Sequence, residues 1–301
     1  DTITWEFKYA SKNFLSHHES VFLPNGDLLM LSWERVSEKE AHMHGVNMEG
    51  DIFPEKIIQI DTATKEIVWQ WRSWDHIVQD HDATKLSYGD ILENKELINI
   101  NYALRENGDI MHANGIFYDA TRDVLFVSIN HYSEVWVIDH QYNVTETAGK
   151  LGDLLFRLGN PRAYKDTVAS VFLDRTHTPN LIPEGYPGAG NLLLFNNGLK
   201  AKKSVVYEFD IPEKLTIEDI ERADLIWSFS DKNLSYGRIS GAYRLSNGNT
   251  LICEGDYGFW EITDQKEIVW QYKDVSTTFW RGYPIDQSHK LFNLVSDITD
   301  N

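Results

Sequence analysis

Apolar and polar residues alternate along much of the chain, always after a polar turn. Lys65-Glu-Ile-Val-Trp-Gln-Trp71 and Lys266-Glu-Ile-Val-Trp-Gln-Tyr272 are nearly one string. Ala223-Asp-Leu-Ile-Trp-Ser-Phe229, Gly152-Asp-Leu-Leu-Phe-Arg-Leu158 and Asp1-Thr-Ile-Thr-Trp-Glu-Phe7 are looser copies. A period of two predicts half-buried strands, and the aromatic at a fixed place in each predicts core packing. A second unit precedes these strings. Leu23-Pro-Asn-Gly-Asp-Leu-Leu-Met30 matches Leu245-Ser-Asn-Gly-Asn-Thr-Leu-Ile252, and Phe117–Phe126 and Ile182–Leu194 carry longer turns in the same place. Each reads as a hairpin, because Asn-Gly and Asp-rich turns supply the conformations a tight reversal needs.

Four strands per repeat and no helical periodicity predict an all-β fold, a single β-propeller over residues 1–301. The reference positions Trp5, Trp69, Phe156, Trp227 and Trp270 mark five blades. An orphan final strand near Ile3–Tyr9 and an orphan blade beginning near Phe279–Val295 predict closure of the ring within one blade. Residues 34–53 read as an insertion, and residues 73–108 as an insertion or a degenerate sixth blade.

The first strand of each blade lines a propeller's channel. His18 lies seven residues before Asn25, and Ser240 seven before Asn247. His112 and His177 stand ahead of their own turns, and Arg281 opens the C-terminal half-blade, with Arg238 close to Ser240. Imidazolium and guanidinium groups converging there suit a tetrahedral anion. Alternation along the strand predicts that His17 faces away from His18. His42-Met-His44 has the spacing of a metal edge on a strand but reads as an ordinary insertion pair, and no metal site is expected.

Charge narrows the partners. With 28 Lys+Arg against 46 Asp+Glu, the net charge is −18. Such a field repels nucleic acid and anionic membranes, while a small anion can still be held where a few basic groups converge. No apolar run is long enough to span a bilayer, so membrane insertion is not expected. Cys253 is alone, which excludes an intramolecular disulfide. A chain opening at Asp1 with no apolar leader reads as a processed secreted or periplasmic protein.

From about His17 to Pro284 the chain resembles the bacterial arylsulfotransferase family. The likeness rests on His17-His-Glu-Ser-Val-Phe-Leu-Pro-Asn-Gly26, Trp74-Asp-His-Ile-Val-Gln-Asp80, His112-Ala-Asn-Gly-Ile-Phe-Tyr-Asp119, Ser133–His140, Pro187–Gly198 and Ser240–Gly255. The resemblance implies a six-bladed propeller that moves a sulfuryl group between phenols, without a cofactor, through a histidine in the channel. It implies catalytic roles for His18, His112 and His177, and substrate contacts from Asn114, Arg238, Ser240 and Arg281. Lys200 stands near a place where the family carries an arginine. The resemblance also implies an acceptor histidine in the blade of Ser240, yet no histidine occurs between His177 and His289. Two functions follow: an arylsulfotransferase-like enzyme acting on a small aryl sulfate, or a non-catalytic propeller that binds a small anion.

Overall fold

The computed structural model describes residues 2–220, 222–274 and 276–285. They form four four-stranded antiparallel sheets, each built from consecutive strands. The first holds β1 (Phe14–Phe22), β2 (Leu28–Glu34), β3 (Glu55–Ile60) and β4 (Ile67–Arg72). Between the first sheet and the next run β5 (Ile77–Val78) and β6 (Ile98–Asn99), a short parallel ladder. The second sheet is β7 (Ala113–Asp119), β8 (Val124–Ile129), β9 (Glu134–Asp139) and β10 (Phe156–Leu158). β11 (Thr176–Leu181), β12 (Leu192–Asn196), β13 (Val205–Asp210) and β14 (Asp224–Phe229) make the third. The fourth is β15 (Gly241–Arg244), β16 (Thr250–Glu254), β17 (Gly258–Ile262) and β18 (Ile268–Lys273). Each predicted hairpin joins the first two strands of a sheet, and four of the five aromatic strings fall at or around a sheet's last strand.

The sheets stack face against face. On β8, Leu125 and Val127 pack toward the first sheet, whereas Val124 and Phe126 pack toward the third. Leu192 and Leu194 of β12 face the second sheet, and Leu193 and Phe195 face the fourth. With both faces buried, these strands read as continuous apolar runs, and the period of two decides only which interface each residue enters. First strands meet in series, β1 on β7, β7 on β11 and β11 on β15, giving a β-propeller-like arrangement.

Indole N–H groups fasten one sheet to the next. Trp69 donates to the Tyr142 carbonyl at 2.8 Å, and Trp227 to the Asp264 carbonyl at 2.9 Å, both in the connection between the third and fourth strands of the following sheet. Trp5 makes the same bond to Thr62 at 2.8 Å, and with Phe7 and Tyr9 it covers the free face of the first sheet. The segment thus stands where a preceding sheet's last strand would, although Ile3–Tyr9 has no strand ladder of its own among the described residues. Trp270 departs from the core role: it is 47% exposed on a β18 that is open along its length. Of the C-terminal half-blade, Phe279–Ile285 is irregular and residues 286–295 lie outside the described residues.

The connection between β2 and β3 carries α1 (Glu38–Met43), capped by the Ser37 hydroxyl. Residues 73–108 add no four-stranded sheet among the described residues and contribute only the short β5–β6 ladder. Arg157 holds that segment by donating to the Lys95 and Leu97 carbonyls, and Tyr132 does so through the Asn99 carbonyl. No helix among the described residues is long and apolar enough to cross a membrane.

Candidate active site

His18 in the middle of β1, His112 just before β7 and His177 near the start of β11 belong to the first strands of three different sheets. The His18 and His112 rings stand edge to face with centroids 4.5 Å apart. His177 is near enough to contribute to lowering the basicity of His18, and His112 contributes to lowering that of His177. Backbone strain puts them there. His18 and His112 have φ of 51° and 59°, a left-handed conformation costly for residues with a Cβ, and the pairing register of β1 and β7 shifts beside them.

That bulge overturns the expectation for His17. With alternation broken, its ring lies on the same side as His18, their Nδ1 atoms 2.8 Å apart. His17 Nε2 meets Glu55 Oε2 at 2.9 Å, and its ring stacks on Trp33 at 4.1 Å. Glu55 is itself buried, and its Oε1 accepts the Ala113 N–H at 2.7 Å. A single carboxylate therefore ties the first sheet to the second beneath the histidines.

Asn197 fixes the state of His177. Its Nδ2 faces the carbonyls of Tyr236, Arg238 and Ile239 at 2.6, 3.2 and 3.0 Å, and carbonyls only accept. The amide oxygen must then face His177 Nδ1, 2.6 Å away, so Nδ1 carries the proton and donates. The lone pair is left on Nε2. Burial lowers the pKa of His177 to about 3, so the ring is neutral at physiological pH. Burial, with His112 beside it, likewise brings His18 down to about 3. The expected set of imidazolium cations is thus corrected: His18 and His177 offer lone pairs, and fixed positive charge comes from arginine.

His112 has a different partner. Its Nδ1 lies 2.5 Å from Asp109 Oδ2. Burial works against the Asp109 carboxylate, but the hydrogen bond and charge of His112 outweigh it and hold its pKa below the usual range. A carboxylate so placed stabilises an imidazolium when one forms, as an acid–base histidine requires.

Arg281 is buried beneath this group. It pairs with Glu19 through Nη1 and donates from Nη2 to the Asn114 carbonyl at 3.3 Å, leaving Nε buried without a partner. Asn114 is a second orphan: its Oδ1 accepts from Ser128 at 2.5 Å while its buried Nδ2 has none. Two buried donors on neighbouring residues are thus unspent, and an oxyanion is a group that could take such hydrogens. The other candidates are placed differently: the Ser240 backbone adjoins the cluster, its carbonyl accepting from Thr178 Oγ1 at 2.9 Å. Ser240 is buried, but its hydroxyl accepts from the Gly255 N–H at 3.1 Å and lies 3.4 Å from the Arg238 carbonyl. Arg238 and Lys200 are exposed.

Two cavities adjoin the cluster. One of about 360 Å³ has an apolar side of Phe14, Leu15, Trp33 and Phe53 and a polar side that includes Lys12 and Asp109. Another, of about 490 Å³, lies at the far end of the first strands beside Arg281, Tyr243 and Tyr283. A larger hollow of about 780 Å³ near Leu92 and Ile217 is lined by none of these histidines or arginines. His42 and His44 lie on and just after α1 rather than along a strand, and bind the Met48 carbonyl and the Ser87 hydroxyl separately. Sequence reasoning missed Asn197, Asp109 and Glu55. Only Asn197 had a signal, as part of Asn196-Asn-Gly198.

A family model described as Arylsulfotransferase (ASST) matches residues 6–282. No curated protein matches the chain. Among solved structures, a protein of unknown function from Bacteroides caccae is 12% identical, with TM-score 0.47 over 90% of this chain and 72% of that one. The β-propeller domain of Cps50 (Swd1) from Myceliophteria thermophila is also 12% identical, with TM-score 0.42 over 83% and 71%.

Proposed function

The chain belongs to the arylsulfotransferase (ASST) family, and on that premise we propose that it transfers a sulfuryl group between phenolic compounds with His177 as the covalent acceptor. The observation that carries this reading is the Asn197 bond, which leaves a neutral imidazole with its Nε2 lone pair directed away from its anchor. A missing histidine near Ser240 therefore does not remove the nucleophile, because a neighbouring sheet supplies one. We place the chemistry in the axial channel of a propeller, a reading supported by the serial contact of the first strands.

The aryl group occupies the Trp33 cavity, whose apolar side suits a phenyl ring, and the sulfuryl oxygens take the free hydrogens of Asn114 Nδ2 and Arg281 Nε. His177 Nε2 attacks sulfur as the bond from sulfur to the phenolic oxygen breaks. His112, protonated and stabilised by Asp109, gives its proton to the departing phenolate. The acceptor phenol returns a proton to His112 and attacks the sulfur on His177, which releases the imidazole and completes the cycle.

The test is release of nitrophenolate from 4-nitrophenyl sulfate in the presence of a phenol acceptor, with intact mass spectrometry of the protein after donor alone. Wild type gains one sulfuryl group, and His177→Ala neither gains it nor turns over. Turnover that survives His177→Ala overturns the assignment.

A further inference from the structure

Against His112 lies a group that the proposed transfer does not use. The His131 ring stacks on His112 at a centroid separation of 5.0 Å, and its Nδ1 is buried with no hydrogen-bond partner. Arg105 and Arg175 both press on His131, each lowering its basicity, and Arg105 does the same to Arg175. The two arginines reach this corner from separate loops: Arg175 binds the side chain of Asn130, the residue before His131, and Arg105 opens the turn that leads into Asp109, its carbonyl accepting the Gly108 N–H at 2.8 Å. Both are half-buried, and among the described residues neither lies within ion-pair distance of a carboxylate. Arg105 Nε is buried and unpartnered, while Arg175 Nη1 donates to Asn130 Oδ1 at 2.8 Å.

The nearby carboxylates are mostly committed elsewhere. Asp109 Oδ2 faces His112, and Asp174 Oδ2 accepts the Lys200 N–H at 2.6 Å. Asp109 Oδ1 is buried and unspent, and Asp109 with His112 and His131 outlines a space where a cation would find three ligand atoms. Two nearby guanidinium groups oppose a cation there by simple repulsion, and the same pair attracts an anion. Two half-buried arginines without an ion pair among the described residues, one of them with an orphaned buried N–H, leave donors that an anionic ligand would satisfy.

We propose that Arg105, Arg175 and His131 form a second anion subsite, so that the preferred substrate is an aryl sulfate or phenol bearing a further anionic substituent such as a carboxylate. The inference rests on the sulfuryl-transfer reading for its geometry: an aryl ring lying along His112 reaches from the Trp33 cavity toward this corner. His131 in its Nδ1–H form and the arginines would share the carboxylate oxygens, the planar fork of guanidinium matching them in pairs.

The experiment compares 4-nitrophenyl sulfate with 3-carboxy-4-nitrophenyl sulfate. Wild type should show kcat/KM at least about tenfold higher for the carboxylated donor, the scale of one hydrogen bond to a charged group. Arg105→Gln and Arg175→Gln should each reduce that ratio about tenfold. Calorimetric binding of the same two donors to His177→Ala protein, with and without Arg105→Gln, reads the subsite without turnover. No turnover with any donor, but tighter binding of the carboxylated one that Arg105→Gln abolishes, would sink the transferase reading and leave the subsite standing. Equal handling of both donors by wild type, or equal loss of both in the arginine variants, overturns the subsite. Should Arg105→Gln fail to fold, Arg105→Lys, which keeps charge and loses the fork, gives the same ratio test.

Discussion

His17 and His18 approach each other through their Nδ1 atoms at 2.8 Å, a contact between adjacent residues that a regular strand forbids. Glu55 Oε2 takes the His17 Nε2–H, so a neutral His17 must accept at Nδ1, and His18 must donate there. The result is a carboxylate–imidazole–imidazole chain that leaves His18 Nε2 open toward His112. Heteronuclear NMR of the imidazole nitrogens should find His18 protonated at Nδ1 at neutral pH. Observation of the Nε2–H form would refute the chain.

Glu55 serves both ends of that arrangement. Glu55→Ala strands the Ala113 N–H and frees the His17 ring, so it should cost about 1–3 kcal/mol in denaturant unfolding. The same change should slow transfer without altering any group proposed to touch sulfur. Wild-type stability in Glu55→Ala would mean that both groups find water instead.

The indole bonds make a sharper comparison. Trp5→Phe and Trp69→Phe each lose one N–H donated to the next sheet and should cost about 1 kcal/mol. Trp270→Phe, at an exposed position, should change the unfolding midpoint hardly at all. Removing residues 1–9 should destabilise far more, since Trp5, Phe7 and Tyr9 cover one face of the first sheet. If Trp5→Phe matches Trp270→Phe, the N-terminal segment does not stand in for a last strand.

These comparisons also mark what the chain's pattern makes legible. Trp5, Trp69 and Trp227 recur in one string because each repeats one physical task, an apolar side chain at a sheet interface with its N–H on the following turn. Repetition of that kind is visible in one dimension. The site is less so. His18, His112 and His177 could be picked out because each precedes a recurring turn, but their common side depends on left-handed residues at bulges. Period-two reasoning fails there, as it did for His17. Asp109, His131, Arg105 and Arg175 come from loops whose spacing obeys no repeat, so only the folded chain brings them together. Lys200 and Arg238 were read as ligands for their charge, yet nothing in their local pattern distinguishes a buried cation from the exposed ones they are.

Arg157 and Glu134 form a buried pair, with Arg157 Nε 3.0 Å from Glu134 Oε1. Burial pushes the Glu134 carboxyl up, and Arg157 opposes that shift. Arg157→Met leaves the carboxylate without its cation and releases the Lys95 and Leu97 carbonyls, and should cost about 3–5 kcal/mol. Adding Glu134→Gln should recover part of the loss, because a neutral amide is cheaper to bury. Proteolysis within residues 73–108 should quicken in the single variant as that segment loosens. If the single variant is as stable as wild type, the pair is not what holds the segment.

Acid titration tests the neutral state of His177. Its pKa is about 3 in the folded protein and near about 6.5 unfolded, so between these values the unfolded chain holds the extra proton. Stability from this group is therefore complete above about pH 6.5, declines as pH falls, and is fully lost once folded His177 protonates near about pH 3. The slope for one such residue reaches about 1.4 kcal/mol per pH unit. Carboxylates titrate in the lower part of the same window, so the informative quantity is the difference between wild type and His177→Gln, measured by urea unfolding at several values from about pH 7 to about pH 5. Glutamine keeps a side-chain donor for Asn197 Oδ1 and cannot titrate. Any advantage of wild type at pH 7 should shrink, and then reverse, as the solution is acidified. Parallel curves would mean that His177 takes up its proton as readily folded as unfolded, and would remove burial as the reason its ring stays neutral.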